Sequence, residues 1–179
     1  MTDLVDLFEL EVSENAGIQV DKLLQYIQTC SNMESLQTLM AAQCSVSPAP
    51  QPIDSTLGGE KLHLLSRLDV SGSLREPEQL IFLTESPALS TLNYLNLSQC
   101  SIDEGSLQKV FDSENLRNLE VLGLAKVVNR AAPMFVLPTE TRYGLDHKIR
   151  VIDLRYNDRV NISLIKRKPY LNKVVIFAW

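Results

Sequence analysis

The sequence has few of the residues from which active sites and metal centres are usually built. Its 179 residues include only two histidines, His63 and His147, and neither has Cys or acidic partners at metal-ligand spacing. No P-loop, glycine-rich dinucleotide-binding fingerprint or nucleophile elbow occurs. These absences predict a protein that is not an enzyme and that needs no metal, no cofactor and no small-molecule substrate.

Paired cysteines and long hydrophobic runs are also missing. Cys30, Cys44 and Cys100 are odd in number and far apart, which argues against a disulfide framework. No apolar run reaches the length of a transmembrane helix, and the start of the chain lacks the basic and apolar regions of a secretory signal. We therefore expect a protein of the cytoplasm or nucleus, in a reducing compartment and not at a membrane.

Charge is unevenly distributed along a chain whose composition is otherwise that of a folded domain. Hydrophobic residues make up 45% and charged residues 22%, enough for one well-buried core. The formal net charge is -5, and the first 14 residues carry five acidic residues with no Lys or Arg. Segment 142–173 instead has nine Lys and Arg against three Asp. Clustered positive charge attracts phosphates, so this segment supports an alternative role with RNA or chromatin.

The spacing of Leu, Leu, Leu and Cys in Leu92–Cys100 returns elsewhere in the chain. The first positions of these copies, Leu65, Leu92, Leu119, Ile149 and Leu171, are separated by 27, 27, 30 and 22 residues. The frame L-x-x-L-x-L-x-x-N/C is that of leucine-rich repeats. The chain resembles intracellular members of that superfamily with repeats of about 27 residues. The resemblance implies an α/β solenoid with a parallel sheet on the concave face and helices or loops on the convex face.

The resemblance covers residues 61–179, and residues 1–60 are predicted to form an N-terminal helical cap with a Pro-rich loop. The acidic and apolar segment 1–12 fits a helical turn or a short alternating strand. An apolar stripe over Ile18–Cys30 predicts an amphipathic helix that covers the end of the array. Residues 33–46 fit either a degenerate first repeat or a second capping helix.

The segments that return the chain from one predicted strand to the next differ in their helix signals. Pro77 and Asp103 stand at helix-starting positions, so we expect helices over 76–84 and 104–112. The third return, 129–147, contains Pro133 and Pro138 and is predicted to be an irregular loop. The fourth return, 161–169, is short and ends in a basic run.

The side chains between the core leucines are predicted to point away from the core and to form the concave surface. Its first half is polar, whereas its later half mixes aliphatic, aromatic and basic side chains, as protein interfaces do. The predicted partner-binding residues are Val121, Lys126, Val151, Arg155, Tyr156, Lys173, Val175, Phe177 and Trp179.

These features predict a non-catalytic interaction subunit or adaptor of an intracellular complex. Its partner would be another protein or a peptide, bound on the concave face, on the uncovered edge of the last strand, or on both. Two plainer interpretations stay open: the 129–147 loop covers the concave residues, and Trp179 folds back over the last strand. Salt separates protein from nucleic acid as the partner, because a complex held by phosphates weakens steeply as ionic strength rises.

Overall fold

Seven strands form one parallel sheet whose spatial order follows the order of the chain. The computed structural model describes residues 7–30, 33–53, 62–128, 136–143, 146–157 and 160–178. The strands are β1 (Glu9–Glu11), β2 (Thr38–Met40), β3 (Arg67–Asp69), β4 (Tyr94–Asn96), β5 (Val121–Gly123), β6 (Val151–Asp153) and β7 (Val175–Phe177). Because consecutive strands are neighbours and parallel, each strand and the segment after it make one repeat of an α/β solenoid.

The described helices lie in the segments that return the chain from one strand to the next. They are α1 (Val20–Thr29), α2 (Ile81–Thr84), α3 (Glu104–Asp112) and α4 (Ile162–Lys166), with short 3-10 turns at Pro77–Leu80, Pro87–Leu89 and Pro169–Leu171. The predicted helices over 76–84 and 104–112 are confirmed. Asp103 caps α3 as its sequence position indicates, since its carboxylate accepts the Ser106 N–H at 2.7 Å. No helix of the described residues is long and apolar enough to cross a membrane.

The core lies between one face of the sheet and the return segments. The central residues of neighbouring strands are Cα partners and point into it; they are Leu10, Leu39, Leu68, Leu95, Leu122, Ile152 and Ile176. Leu24 of α1 and Leu107 of α3 are buried against the same cluster from the helical side. Each such side chain contributes about 1.5–3 kcal/mol when it leaves water, so the stacked repeats stabilise one another.

The structure differs from the predicted N-terminal helical cap. Residues 9–11 and 38–40 are strands of the common sheet, and the pairing of β2 with β3 continues that sheet across residue 60. Within 33–46, residues 38–40 are a strand and not part of a second capping helix, and the helix over 20–29 is the return between β1 and β2. A capping helix and a return helix bury the same apolar stripe, so helical periodicity alone does not distinguish them.

The last repeat is offset by two residues from its predicted frame. The sequence frame placed Val174 opposite Ile152, but the structure pairs Ile152 with Ile176. The interval between the central residues of the last two strands is therefore 24 residues instead of 22. Because side chains alternate with a period of two, this shift leaves Val175 and Phe177 on the face predicted for them.

Each of the first six repeats turns after its strand through a residue in the left-handed conformation. These residues have φ between 51° and 69° and are Glu14, Gln43, Gly72, Gln99, Lys126 and Tyr156. Only one of them is glycine, the residue that adopts this conformation at no steric cost. The bonds around the turn therefore impose the conformation at the other five positions.

The ninth position of the repeat frame ties each repeat to the one before it. Its side chain donates a hydrogen bond to a backbone carbonyl of the preceding repeat at four positions: Cys44 to Val12 at 3.2 Å, Ser73 to Ala41 at 2.8 Å, Cys100 to Val70 at 3.3 Å and Asn157 to Leu124 at 2.7 Å. Val127 has no donor at this position. There the backbone replaces the side chain, because Val128 and Ser101 form a parallel bridge and the Val128 N–H donates to the Cys100 carbonyl at 2.9 Å.

Candidate functional site

Two rows of side chains cross the face of the sheet that points away from the core, which we call the open face. The first strand residues form one row: Glu9, Thr38, Arg67, Tyr94, Val121, Val151 and Val175. The third strand residues form the other: Glu11, Met40, Asp69, Asn96, Gly123, Asp153 and Phe177. Neighbouring strands lie about 4.8 Å apart, so adjacent side chains of a row are close enough to contact one another or the same bound molecule.

Polar side chains on β3 and β4 bind one another across the open face. The Arg67 guanidinium lies 4.3 Å from the centre of the Tyr94 ring, within cation–π range. The Asn96 amide donates to the Asp69 carboxylate at 2.8 Å, and its carbonyl oxygen accepts the Ser98 N–H at 3.0 Å. Burial, reinforced by the charge of Asp69, raises the pKa of Tyr94. These side chains use their polar groups to bind one another or the nearby backbone, which holds them in a fixed arrangement.

Gly123 gives Asn96 the room that this arrangement needs. A Cβ atom added at Gly123 would overlap the Asn96 carbonyl oxygen and lie 3.0 Å from its Cγ and 3.3 Å from its Cα. The strand therefore passes Asn96 at a distance that only glycine allows.

The first row of the open face becomes apolar over β5, β6 and β7. Val121, Val151 and Val175 are successive Cα partners and form an aliphatic row across three strands. Val175 is 54% exposed, Phe177 is 40% exposed and Tyr156, at the corner after β6, is 70% exposed. We call these five residues the apolar patch. Large side chains exposed together in this way mark interaction surfaces in folded proteins.

A fixed ion pair stands beside the apolar patch. Arg155 donates to both carboxylate oxygens of Asp153, through Nε at 2.9 Å and through Nη2 at 2.7 Å. This bonding lowers the pKa of Asp153 and raises the pKa of Arg155. The two bonds hold the half-exposed guanidinium in one orientation.

A shallow depression adjoins the patch at the corners of β4, β5 and β6. It has a volume of about 440 Å³ and is lined by Ser98, Gln99, Ala125, Lys126 and Tyr156. Lys126 and Tyr156 occupy equivalent left-handed corners of neighbouring repeats, and both are exposed.

The structure brings most of the predicted partner-binding residues together. Val121, Val151, Val175 and Phe177 lie on the open face, and Arg155, Lys126 and Tyr156 lie at the ends and corners of its strands. Lys173 lies before β7 and faces a different depression. Trp179 is outside the described residues.

That second depression, the basic depression, lies where β6 and β7 begin. It has a volume of about 430 Å³ and is lined by His147, Lys148, Ile149, Arg150, Tyr170, Asn172, Lys173 and Val174. The basic segment is evident in the sequence, but this site is not, because 148–150 and 172–174 meet only through the stacking of the last two repeats. Only the positions of Arg150 and Lys173, just before two predicted strands, indicate that these two side chains could lie close together.

The described cations of the basic segment lie in different parts of the last two repeats. Lys166 and Arg167 stand at the end of α4 in the last return, whereas Arg150 and Lys173 line the basic depression and Arg155 is paired at the far end of β6. Nucleic acid is bound most strongly by continuous basic stripes that follow the phosphate backbone. The structure divides the charge that suggested such a stripe.

Residues that bind metals or act as nucleophiles are used here to hold the fold. Among the described residues, no group of three or more His, Cys, Asp or Glu could hold a metal ion. His147 accepts the Ile149 N–H at Nδ1 at 3.1 Å and bonds the Tyr170 carbonyl through Nε2. Cys44 and Cys100 are buried, and burial raises the pKa of the Cys100 thiol to about 11.

Comparison with known proteins finds similarity among solved structures but not among sequences. No protein-family model matches the chain, and no curated protein has a significantly similar sequence. The crystal structure of internalin C2 from Listeria monocytogenes aligns with 96% of this chain and 80% of its own, with 11% identity and a TM-score of 0.42. At this level of likeness, what the chain binds follows only from the chemistry of its own residues.

Proposed function

We propose that the protein is a non-catalytic leucine-rich repeat solenoid that binds another polypeptide on the apolar patch. The observation that carries the proposal is the valine row of β5 to β7 with the exposed Tyr156 and Phe177 beside it. Aromatic side chains within an apolar centre and an Arg at its border are typical of the residues that dominate protein interfaces.

The preformed geometry of the surface supports the same function. Strand backbone fixes the valines, and two bonds to Asp153 fix Arg155, so little side-chain freedom is lost when a partner binds. The polar half of the open face, from β1 to β4, offers no comparable apolar row. The patch thus gives the partner one preferred place on an otherwise regular sheet.

An adaptor role in a reducing compartment fits the three cysteines, which are all free thiols. Two of them are buried between repeats, where Cys44 and Cys100 donate hydrogen bonds to backbone carbonyls. Their role in the proposed molecule is to hold the scaffold, with no cofactor required.

The experiment that tests the proposal compares matched variants as bait for capture from extract, with quantitative mass spectrometry. Tyr156→Ala is paired with Tyr26→Ala, because Tyr26 is 63% exposed but lies on α1, away from the open face. Val175→Asp is paired with Leu164→Asp on α4, where Leu164 is 49% exposed.

Proteins retained by the wild type at 0.3 M salt should be lost from both patch variants and kept by both controls. Truncating a central aromatic residue costs about 2 kcal/mol, which is roughly a 30-fold loss of affinity. If the patch variants retain the same partners as the controls, the apolar patch is not the interface.

A further inference from the structure

We infer that the basic depression receives carboxylate groups of the bound polypeptide, so that the partner of the apolar patch is an acidic segment. The inference rests on the proposed function, since it assigns the chemistry of the partner that the patch binds. It commits to acidic protein and not to nucleic acid.

The basic depression concentrates positive charge without counter-ions of its own. Two lysines and one arginine line it, and no acidic residue does. Among the described residues the structure gives one ion pair, Asp153 with Arg155, so these three cations are unpaired within that part of the chain. Glu120 and Asp146 are nearby and exposed, but neither lines the depression.

The positive charge of the depression comes from Lys148, Arg150 and Lys173. His147 uses both ring nitrogens in hydrogen bonds within the protein. Lys148 is held in place by donating to the Asn118 side chain at 2.7 Å, and its ammonium has two further N–H donors. Carboxylates are the acceptors that such donors bind most strongly in proteins.

The depression lies next to the apolar patch. Arg150 directly precedes Val151, and Lys173 is two residues before Val175, so these cations lie beside the valine row, at the start of β6 and β7. An extended segment lying across β6 and β7 can place apolar side chains on the valines and acidic side chains over the depression. Because successive side chains of an extended segment point to opposite faces, a repeat of two acidic and two apolar residues presents both kinds of side chain to the same surface.

Among the described residues, no exposed Phe, Tyr or Trp ring lines the depression, and the ring of His147 packs edge-on against Tyr170. Its one tyrosine, Tyr170, is 5% exposed, and its hydroxyl donates to the Pro138 carbonyl at 2.6 Å. Proteins that bind single strands combine cations with accessible aromatic rings. Aliphatic neighbours and a buried ring therefore favour a polypeptide as the source of the anions.

The test measures the binding of fluorescein-labelled probes by fluorescence anisotropy at low salt. The probes are a 12-residue peptide with the repeat Glu-Glu-Leu-Leu (the Glu–Leu peptide), the same peptide with Lys for Glu (the Lys–Leu peptide), and a 12-nucleotide single-stranded RNA. Arg150→Gln/Lys173→Gln is the test variant. Lys109→Gln/Arg117→Gln is the matched control, since it removes the same charge from exposed positions on or after α3.

The Glu–Leu peptide should bind the wild type and the control with equal affinity. Its affinity for the test variant should be lower by about 10-fold or more. The Lys–Leu peptide should not bind. The inference is overturned if the test variant binds the Glu–Leu peptide as the wild type does. It is also overturned if RNA binds more tightly than the peptide and loses that affinity in the test variant.

The Val175→Ser variant separates this inference from the proposed function, because it removes the aliphatic side chain without adding a charge beside Lys173. If Val175→Ser weakens peptide binding and Arg150→Gln/Lys173→Gln does not, the patch stands and the carboxylate site is wrong. If only the charge variant weakens binding, the basic depression stands and the apolar patch is wrong.

Discussion

Replacing Gly123 with alanine should lower the free energy of unfolding by about 2–4 kcal/mol. The new Cβ would overlap the Asn96 carbonyl oxygen and press on its Cγ at 3.0 Å, and overpacking of this kind costs about 1–3 kcal/mol. Moving Asn96 also weakens its 2.8 Å bond to the Asp69 carboxylate, worth about 1.5–3 kcal/mol. The intrinsic preference for alanine over glycine in a strand returns only about 0.5–1 kcal/mol.

Urea denaturation followed by far-ultraviolet circular dichroism measures the change in the free energy of unfolding. In thermal denaturation, the melting temperature should fall by roughly 4–16 °C. Gly17→Ala is the matched control, since a Cβ there meets nothing within 4 Å; it should leave stability unchanged or raise it slightly. Asn96→Ala removes the obstructing oxygen, so adding Gly123→Ala to that variant should cost less than about 1 kcal/mol. Equal costs of Gly123→Ala in both backgrounds would refute the steric explanation.

Two further predictions concern the links between repeats. Asn157→Ala should lower the free energy of unfolding in urea by about 2–4 kcal/mol, because three backbone hydrogen bonds of 2.7–2.8 Å are lost; Asn93→Ala, at an exposed position, should change it by less than about 0.5 kcal/mol. A thiol reagent at pH 8 should modify Cys30 alone in the folded protein and all three cysteines in urea, because Cys44 and Cys100 are buried and the pKa of Cys100 is raised to about 11. Rapid labelling of all three thiols without urea would contradict the burial of the last two.

The sequence predicts the repeat well where its apolar frame is regular. The frames that begin at Leu65, Leu92, Leu119 and Ile149 all become paired strands in the predicted register. The alternation of side chains then identifies the open face, including Val175 and Phe177, even though the last frame is misplaced by two residues.

Periodicity does not show which residues of different repeats become neighbours in the sheet. Strands of three residues are too short for a two-residue period to separate Glu9–Glu11 from a helical turn, so the first repeat was predicted as a cap. The basic depression depends on Arg150 and Lys173 being brought side by side by the register of β6 and β7. The contact between Gly123 and Asn96 likewise depends on the register of two neighbouring strands, here β4 and β5, and no local sequence pattern reveals it.

The left-handed corners separate the evolution of recognition from the preservation of the fold. Since the backbone of each repeat imposes the turn, the corner accepts residues as different as Gln99, Lys126 and Tyr156. Successive corners follow the stack at about the spacing of its strands, roughly 4.8 Å. Under the proposed function, single substitutions in this row would alter which partner is preferred while the buried leucines, and with them the scaffold, stay unchanged.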